Sequence, residues 1–109
     1  MLSNKSYEEL EKASREWSEW HKKVIILEDG KKAMFSKLFL KYKLETKTVI
    51  EAEHKARTDN EYREIVKQYA NAEEELIKAR YHYNNLDKYV SLKQSELKRD
   101  LALTGKQPV

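Results

Sequence analysis

Cysteine is absent from this 109-residue sequence, and glycine and proline are nearly absent, with two copies and one copy. Without cysteine the chain can form neither a disulfide framework nor a thiolate zinc site, and it has no thiol nucleophile. The scarcity of glycine and proline leaves few places for sharp turns. No apolar run approaches the roughly 20 residues of a membrane span, and the amino-terminal sequence lacks the apolar segment of a secretion signal. We therefore expect a cytoplasmic protein that does not enter a membrane.

The sequence is as rich in charge as in apolar residues, with 38% charged and 39% hydrophobic residues. This balance supplies helix formers but too little apolar material for a thick core. Its length predicts a single helical domain over residues 1–109.

Two long stripes of mostly apolar residues advance by alternating steps of three and four residues. A mean period of 3.5 residues is typical of the seam of a coiled coil, and no strand produces it. The pattern therefore predicts two long helices that pack along one seam. The residues assigned to this intramolecular seam are Leu10, Trp17, Trp20, Val24, Leu27, Met34, Leu38, Ile65, Tyr69, Leu76, Tyr83, Leu86 and Val90.

Capping chemistry predicts where the helices begin. Capping boxes, a Ser or Thr followed three residues later by Glu, start at Ser6, Thr48 and Thr58. Thr104, Gly105 and Pro108 supply a stop after the last helix. The predicted helices cover about 7–44, 49–57 and 59–103, with a tail at 104–109.

One segment suggests a different structure. Asp29-Gly30 lies between β-branched and apolar residues, which is a strong signal for a β-hairpin with a type I′ turn. The seam nevertheless keeps its phase through Gly30, and a lone two-stranded ribbon is marginal in water. We favour a continuous helix in which Gly30 costs about 1 kcal/mol relative to alanine.

The fold class that follows is all-α: an antiparallel helical hairpin in which one short helix joins two long, coiled-coil-like helices. Aligning the stripes places residues opposite each other when their numbers sum to about 103, so that Trp20 faces Tyr83. Charge favours the same orientation, because residues 30–47 carry a net charge of +5 and residues 59–75 a net charge of −4.

Several apolar side chains fall outside the seam and need a cover. A second copy of the chain would provide it in a twofold four-helix arrangement, which predicts a homodimer. An unknown protein partner would bury the same surface. The sequence is compatible both with a dimer of closed hairpins and with a dimer that exchanges helices between its copies. The candidate interface residues are Ile25, Ile26, Phe35, Phe39, Val66, Ile77, Tyr81, Tyr89 and Leu92.

The sequence offers little that could support catalysis. No phosphate-binding loop, nucleophile elbow or zinc-protease helix is present. Glu51 and His54 have the Glu-x-x-His spacing of carboxylate-bridged di-iron bundles, but such a site needs two motifs and further core glutamates. We therefore expect no enzyme, catalytic residue, metal site or cofactor.

A basic stretch is the best candidate for a second kind of interaction. Its lysines could neutralise phosphates, and neighbouring aromatic rings could stack on unpaired bases. The alternative is that the lysines balance the negative charge of the acidic run on the facing helix of the same chain, while the rings belong to the core. The candidate nucleic-acid-binding residues are Lys31, Lys32, Lys37, Lys41, Lys43 and Lys47.

Three segments carry a resemblance to a known group of proteins. They are WSEWHKKVIILEDG at 17–30, EAEHKAR at 51–57 and EYRE at 61–64. Together they resemble short helical proteins of tailed phages and prophages of bacteria, over roughly residues 7–97. That group is encoded among early genes for DNA recombination and replication. The resemblance implies an accessory role in phage DNA metabolism in the bacterial cytoplasm, and it assigns no functional residues.

Overall fold

The protein is an all-α helical hairpin, seen in a computed structural model that describes residues 4–103. Helix α1 covers Asn4–Lys43, α2 covers Val49–Thr58 and α3 covers Asn60–Leu103, and this stretch contains no strand. The predicted helix bounds are confirmed to within about three residues. Helix α1 runs unbroken through Gly30, which rules out the β-hairpin alternative. The predicted stop at Thr104, Gly105 and Pro108 lies outside the described residues.

The seam is the least exposed face of both long helices. None of the thirteen residues assigned to it is exposed. The residues that become buried are small or medium-sized, among them Ala13, Leu38, Ala72 and Val90. Larger seam side chains such as Trp17 and Tyr83 stay half-buried. Burial thus follows the 3.5-residue spacing, as two helices in contact along one stripe require.

Contacts divide the chain into two compact units. One unit is Glu19–Leu76, which holds α2 and the adjoining parts of α1 and α3. The other combines, within the described residues, 4–18 of α1 and 77–103 of α3. The single domain expected from the length of the chain stays a prediction.

In each unit the long helices pack antiparallel, but in a register that differs from the expected one. The ring centroids of Trp17 and Tyr83 lie 5.2 Å apart, and those of Phe35 and Tyr62 lie 5.7 Å apart. The residue numbers of these two pairs sum to 100 and 97, whereas the expected register has a sum of about 103. Shifts of three and six residues correspond to about one and two steps of the seam, so the seam pattern alone does not distinguish these registers from the expected one.

Two of the three predicted caps differ from the structure. The Thr48 hydroxyl accepts a hydrogen bond from the Glu51 backbone N–H at 3.2 Å, as predicted for the start of α2. The Thr58 hydroxyl instead donates to the His54 carbonyl of α2, and Asp59 caps α3. Ser6 lies inside α1. An aspartate one residue beyond Thr58 competes better for the orphan amides, because its carboxylate is charged and its backbone is already extended.

Helix α2 packs through alanines. Ala52 and Ala56, one helical turn apart, have no exposed surface, whereas Val49 and Ile50 point outward and are exposed. Of the four apolar residues of α2, only the two alanines are buried, so the larger side chains do not form its packing face. Small side chains let the α2 backbone approach its neighbours closely, and that gain decides which face turns inward.

Gly30 marks a close approach of α3 to α1. A Cβ atom built on Gly30 would lie 3.0 Å from Cδ1 of Ile65. That distance is short for two carbon atoms, although the contacted atom is the end of a flexible side chain. Gly30 therefore has a packing reason that partly offsets its low helix propensity.

We expect Gly30→Ala to change stability by the difference between two opposing effects. Alanine favours the helix by about 1 kcal/mol over glycine, while its methyl group presses on Ile65. Replacing Ile65 with valine removes Cδ1, so Gly30→Ala should stabilise the Ile65→Val background more than the wild type. Urea denaturation of the four proteins measures this coupling. Equal effects in both backgrounds would show that the contact carries no free energy.

Candidate interaction surfaces and a ring–cation cleft

An outer row of apolar side chains runs along α3 on the face opposite the seam. We define the outer row as Ile77, Tyr81 and Leu92, which have 44%, 60% and 60% of their surface exposed. At 100° per residue these positions fall within about 60° of one another and about 180° from the seam. Helix α3 thus carries exposed apolar side chains on a second face, which a helix packed on one side does not need.

The other candidate interface residues do not share one surface. Ile25 and Ile26 are exposed on α1, and Tyr89 is exposed on the flank of α3. Phe35, Phe39 and Val66 are half-buried within the chain. The sequence-based list therefore brings together exposed residues and residues that already pack inside Glu19–Leu76.

Other exposed apolar residues were missed by sequence reasoning. Leu40, Leu44 and Ile50 are more than half exposed around the end of α1 and the start of α2. Leu40 follows Ile26 by two heptads, and this second seven-residue spacing on α1 was a signal that could have identified it.

The basic run splits into two groups by its ring contacts, although five of its six lysines are exposed and only Lys31 is half-buried. In the first group, Lys32, Lys37 and Lys47, the Lys32 ammonium lies 4.0 Å from a carboxylate oxygen of Glu28. The other three lysines lie over aromatic rings: Lys31 over Tyr69 at 4.4 Å, Lys41 over Tyr42 at 5.3 Å and Lys43 over Phe39 at 5.8 Å. Their charges interact with the ring faces, and their alkyl stems cover apolar surface.

Lys31 is linked through Tyr69 to an acid of α3. The Tyr69 hydroxyl hydrogen-bonds to Glu73, which raises the pKa of Tyr69. Partial burial and the charges of Glu73 and Glu28 act in the same direction. Lys31 thus contacts α3 at a tyrosine ring whose hydroxyl is itself hydrogen-bonded to a carboxylate.

Beside Lys31, all three helices line a cleft of about 330 Å³ that combines rings and cations. Phe35 and Tyr62 meet edge to face at an interplanar angle of 60°. The Arg57 guanidinium lies 5.5 Å from the centre of the Phe35 ring. We call this the ring–cation cleft, and its lining is Lys31, Lys32, Phe35 and Ser36 of α1, Arg57 of α2 and Tyr62 of α3.

Sequence reasoning identified only part of this cleft. Lys31, Lys32 and Phe35 belong to the predicted basic stretch and its rings. Arg57 and Tyr62 were missed, because α2 and α3 bring them beside α1 only in the folded chain. The available signal was weak: Arg57 stands in the last turn of α2, where a cation is favoured anyway.

A second groove, of about 350 Å³, lies beside Trp20 in the same unit. Leu27 and Ala72 form apolar parts of its wall, and the Lys23 ammonium lies 4.8 Å from the centre of a Trp20 ring. The groove contains fewer cations than the ring–cation cleft and has no second aromatic ring in its lining.

Tyr42 and Asp59 form a polar clasp where the chain reverses direction. The Tyr42 hydroxyl donates a short hydrogen bond to Oδ2 of Asp59, while Oδ1 accepts from the Glu61 backbone N–H at 2.8 Å. These two bonds lower the pKa of Asp59. The bond to the carboxylate, with desolvation and nearby acidic charge, raises the pKa of Tyr42. The clasp ties the end of α1 to the start of α3.

The described residues show no arrangement typical of a metal centre or a membrane span. Within 4–103, no three His, Cys, Asp or Glu side chains group closely enough to hold a metal ion. His21, His54 and His82 are all exposed. No helix in this stretch has the length and apolar character needed to traverse a bilayer.

No family model, curated protein or solved structure matches the chain. The resemblance to phage proteins stays a prediction from the three sequence segments. The outer row and the ring–cation cleft are therefore the features from which a function can be proposed.

We expect the clasp to give stability that depends on pH in two ranges. Asp59 has a lowered pKa, so its contribution is present above its ordinary value of 3.8 and disappears as the pH falls through the folded-state pKa. Tyr42 has a raised pKa, so its contribution is present below 10.0 and disappears as the pH rises through its folded-state pKa. Tyr42→Phe should therefore be less stable than wild type near pH 7, with a smaller difference at either extreme.

Urea denaturation across this pH range measures the effect. Tyr81→Phe is the matched control, because it removes the hydroxyl of an exposed tyrosine outside the clasp. A Tyr42→Phe difference that stays constant from pH 2 to pH 11 would contradict a role for the ionised Asp59.

Proposed function

We propose that this chain is a non-enzymatic helical interaction protein that acts through protein–protein contacts, beginning with its own dimerisation. The observation that carries this proposal is the outer row of α3, an apolar surface on the face that the hairpin does not use. Exposed apolar residues aligned on one face are typical of helices that bind another helix.

The outer face of α3 is self-complementary in an antiparallel pairing. Around a twofold axis at Asn84 and Asn85, Ile77 of one chain meets Leu92 of the other. Asn84 and Asn85 are exposed and can pair their amides across the axis. The same pairing brings Tyr81 opposite the exposed Lys88, a combination that favours a cation–π contact. A second copy is therefore the partner that this face fits.

The small size of the surface favours a weak dimer over an obligate one. Stable interfaces bury about 1,200–2,000 Å² in total, and three apolar side chains from each chain account for only part of that. We therefore expect a dimer with a dissociation constant of roughly 1–10 µM rather than an obligate, nanomolar dimer.

The biological role proposed here is that of a phage or prophage accessory factor in the bacterial cytoplasm. Its support is the resemblance of residues 17–30, 51–57 and 61–64 to phage early-region proteins. The dimer would present its remaining exposed apolar residues, such as Leu40 and Leu44, to a further protein.

We expect Ile77→Glu combined with Leu92→Glu to convert the dimer into a monomer, because each dimer would bring carboxylates against apolar or like-charged groups. Light scattering across a concentration series gives the mass. Lys98→Glu is the control, since it makes the same total change in charge at another exposed position of α3. If both proteins dimerise equally well, the outer row is not the interface.

Single cysteines test the antiparallel geometry, because the chain has no native cysteine. Residue 85 lies beside the twofold axis, so Asn85→Cys should form a disulfide-linked dimer under mild oxidation. Ser95→Cys lies on the same face, but its two copies would be roughly 30 Å apart in this pairing and should stay reduced. Efficient cross-linking of Ser95→Cys would instead indicate a parallel dimer.

The second candidate function is nucleic-acid binding by the basic run of α1. What favours it is that Lys32, Lys37 and Lys47 are exposed and that Lys32 borders a cleft lined by two aromatic rings. Lysines in such a position can bind phosphates without losing a contact with the core.

If this candidate is correct, binding of a fluorescein-labelled single-stranded 12-mer should weaken steeply with salt, because phosphate contacts release counterions. Lys37→Glu with Lys47→Glu should weaken it further, whereas Lys12→Glu with Lys22→Glu, also exposed on α1, should have a smaller effect. Fluorescence anisotropy from 50 to 300 mM salt measures both. Absence of binding by the wild type at 50 mM salt would exclude this function.

A further inference from the structure

The ring–cation cleft differs from the rest of the surface in its lining. Three of its six residues are cations, two are aromatic and one is a serine, with no carboxylate among them. In the amino-terminal part of α1, acidic and basic side chains are interspersed, as in the Arg15–Glu11 ion pair. A cleft with this lining favours a ligand that has both a flat ring and a negative charge.

The rings of the cleft are held in place by other rings. Phe35 contacts Tyr62 edge to face and lies parallel to Phe39 within 19°, with centroids 6.3 Å apart. Phe35 and Tyr62 are both half-buried, so each fixes its ring in the fold and leaves part of it accessible. A planar ligand can therefore stack here with little loss of side-chain entropy.

The cations of the cleft are positioned but weakly neutralised. In α2, Arg57 lies 4.0 Å from Glu53, and in α1, Lys32 lies 4.0 Å from Glu28. Both ion pairs are largely exposed. Exposed pairs at this distance contribute little free energy. A guanidinium can bind a phosphate through two parallel hydrogen bonds. A phosphate would therefore readily displace the carboxylates of Glu53 and Glu28.

We propose that the ring–cation cleft binds one nucleotide of a single-stranded nucleic acid, with the base against Phe35 and Tyr62 and the phosphate on Arg57 and Lys32. This inference rests on the second candidate function and assigns it a site. The cleft volume lies at the lower end of ligand pockets, which are about 300–1,000 Å³. One nucleotide suits that size, whereas a duplex keeps its bases stacked inside.

The basic run beyond the cleft favours a strand over a phosphorylated peptide. Lys37 follows the cleft residues on α1 and is exposed, and Lys47 is exposed after the end of α1. Positive charges at several points suit a chain with one phosphate per residue, whereas a phosphopeptide needs only one such point.

The test measures binding of labelled dT12 and U12 to the full-length protein by anisotropy. Tyr62→Leu, which removes a ring, should weaken binding about tenfold, whereas Tyr62→Phe should bind like the wild type. Arg57→Gln should weaken binding and reduce the salt dependence by about one phosphate contact. Lys22→Gln is the charge-matched control outside the cleft. Equal effects on dT12 and U12 assign the site to any single strand, and unequal effects to DNA or RNA.

Photo-cross-linking gives a second readout that does not depend on a substituted protein. With wild-type protein and an oligonucleotide containing 5-iodouracil, the proposal expects adducts on Phe35 or Tyr62, whereas adducts confined to Trp17 or Trp20 would overturn it. If oligonucleotides bind but Arg57→Gln and Tyr62→Leu match the wild type, the cleft is not the site, although nucleic-acid binding stands. Displacement of the oligonucleotide by O-phosphotyrosine but not by dTMP would overturn the choice of ligand.

Discussion

Two helices packed along one stripe cannot enclose an interior, and the rest of this structure depends on that constraint. Among residues 4–103 no large side chain is fully buried, and four of the six buried residues are alanines. Apart from Leu38 and Val90, the seam residues stay partly exposed. Free energy from burial is therefore spread thinly along the hairpin, and every aromatic ring keeps a face that something else must cover.

Charged side chains provide much of that cover. Lys31, Lys41, Lys43 and Arg57 lie over rings near the hairpin end, so the alkyl parts of polar residues act as the outer layer of the core. The same arrangement concentrates positive charge and aromatic surface in one place. The cationic side chains that cover the rings of this thin core thus also form a surface with the chemistry to bind an anionic ring. Stability and binding would then depend on some of the same side chains.

The features that sequence predicted are those governed by local rules. Helix existence, the seam and the Thr48 cap follow from spacing and capping chemistry within a few residues of the chain. The register, the inward face of α2 and the cap at Asp59 depend on how separate segments fit, as Gly30 against Ile65 illustrates. The ring–cation cleft was half predicted for the same reason: its α1 residues are near one another in sequence, whereas Arg57 and Tyr62 join them only through the tertiary fold.

Asp59 is the only residue between α2 and α3, and it serves as a cap for both. One inserted residue there would separate the two caps and change how α3 is oriented relative to α2, so that the seam would no longer face α1. The connection from α1 to α2 has five residues outside the helices, 44–48, which can absorb such a change. Insertions and deletions among natural relatives should therefore occur at 44–48 and be absent from 58–60. The first connection tolerates a change in length, and the second does not.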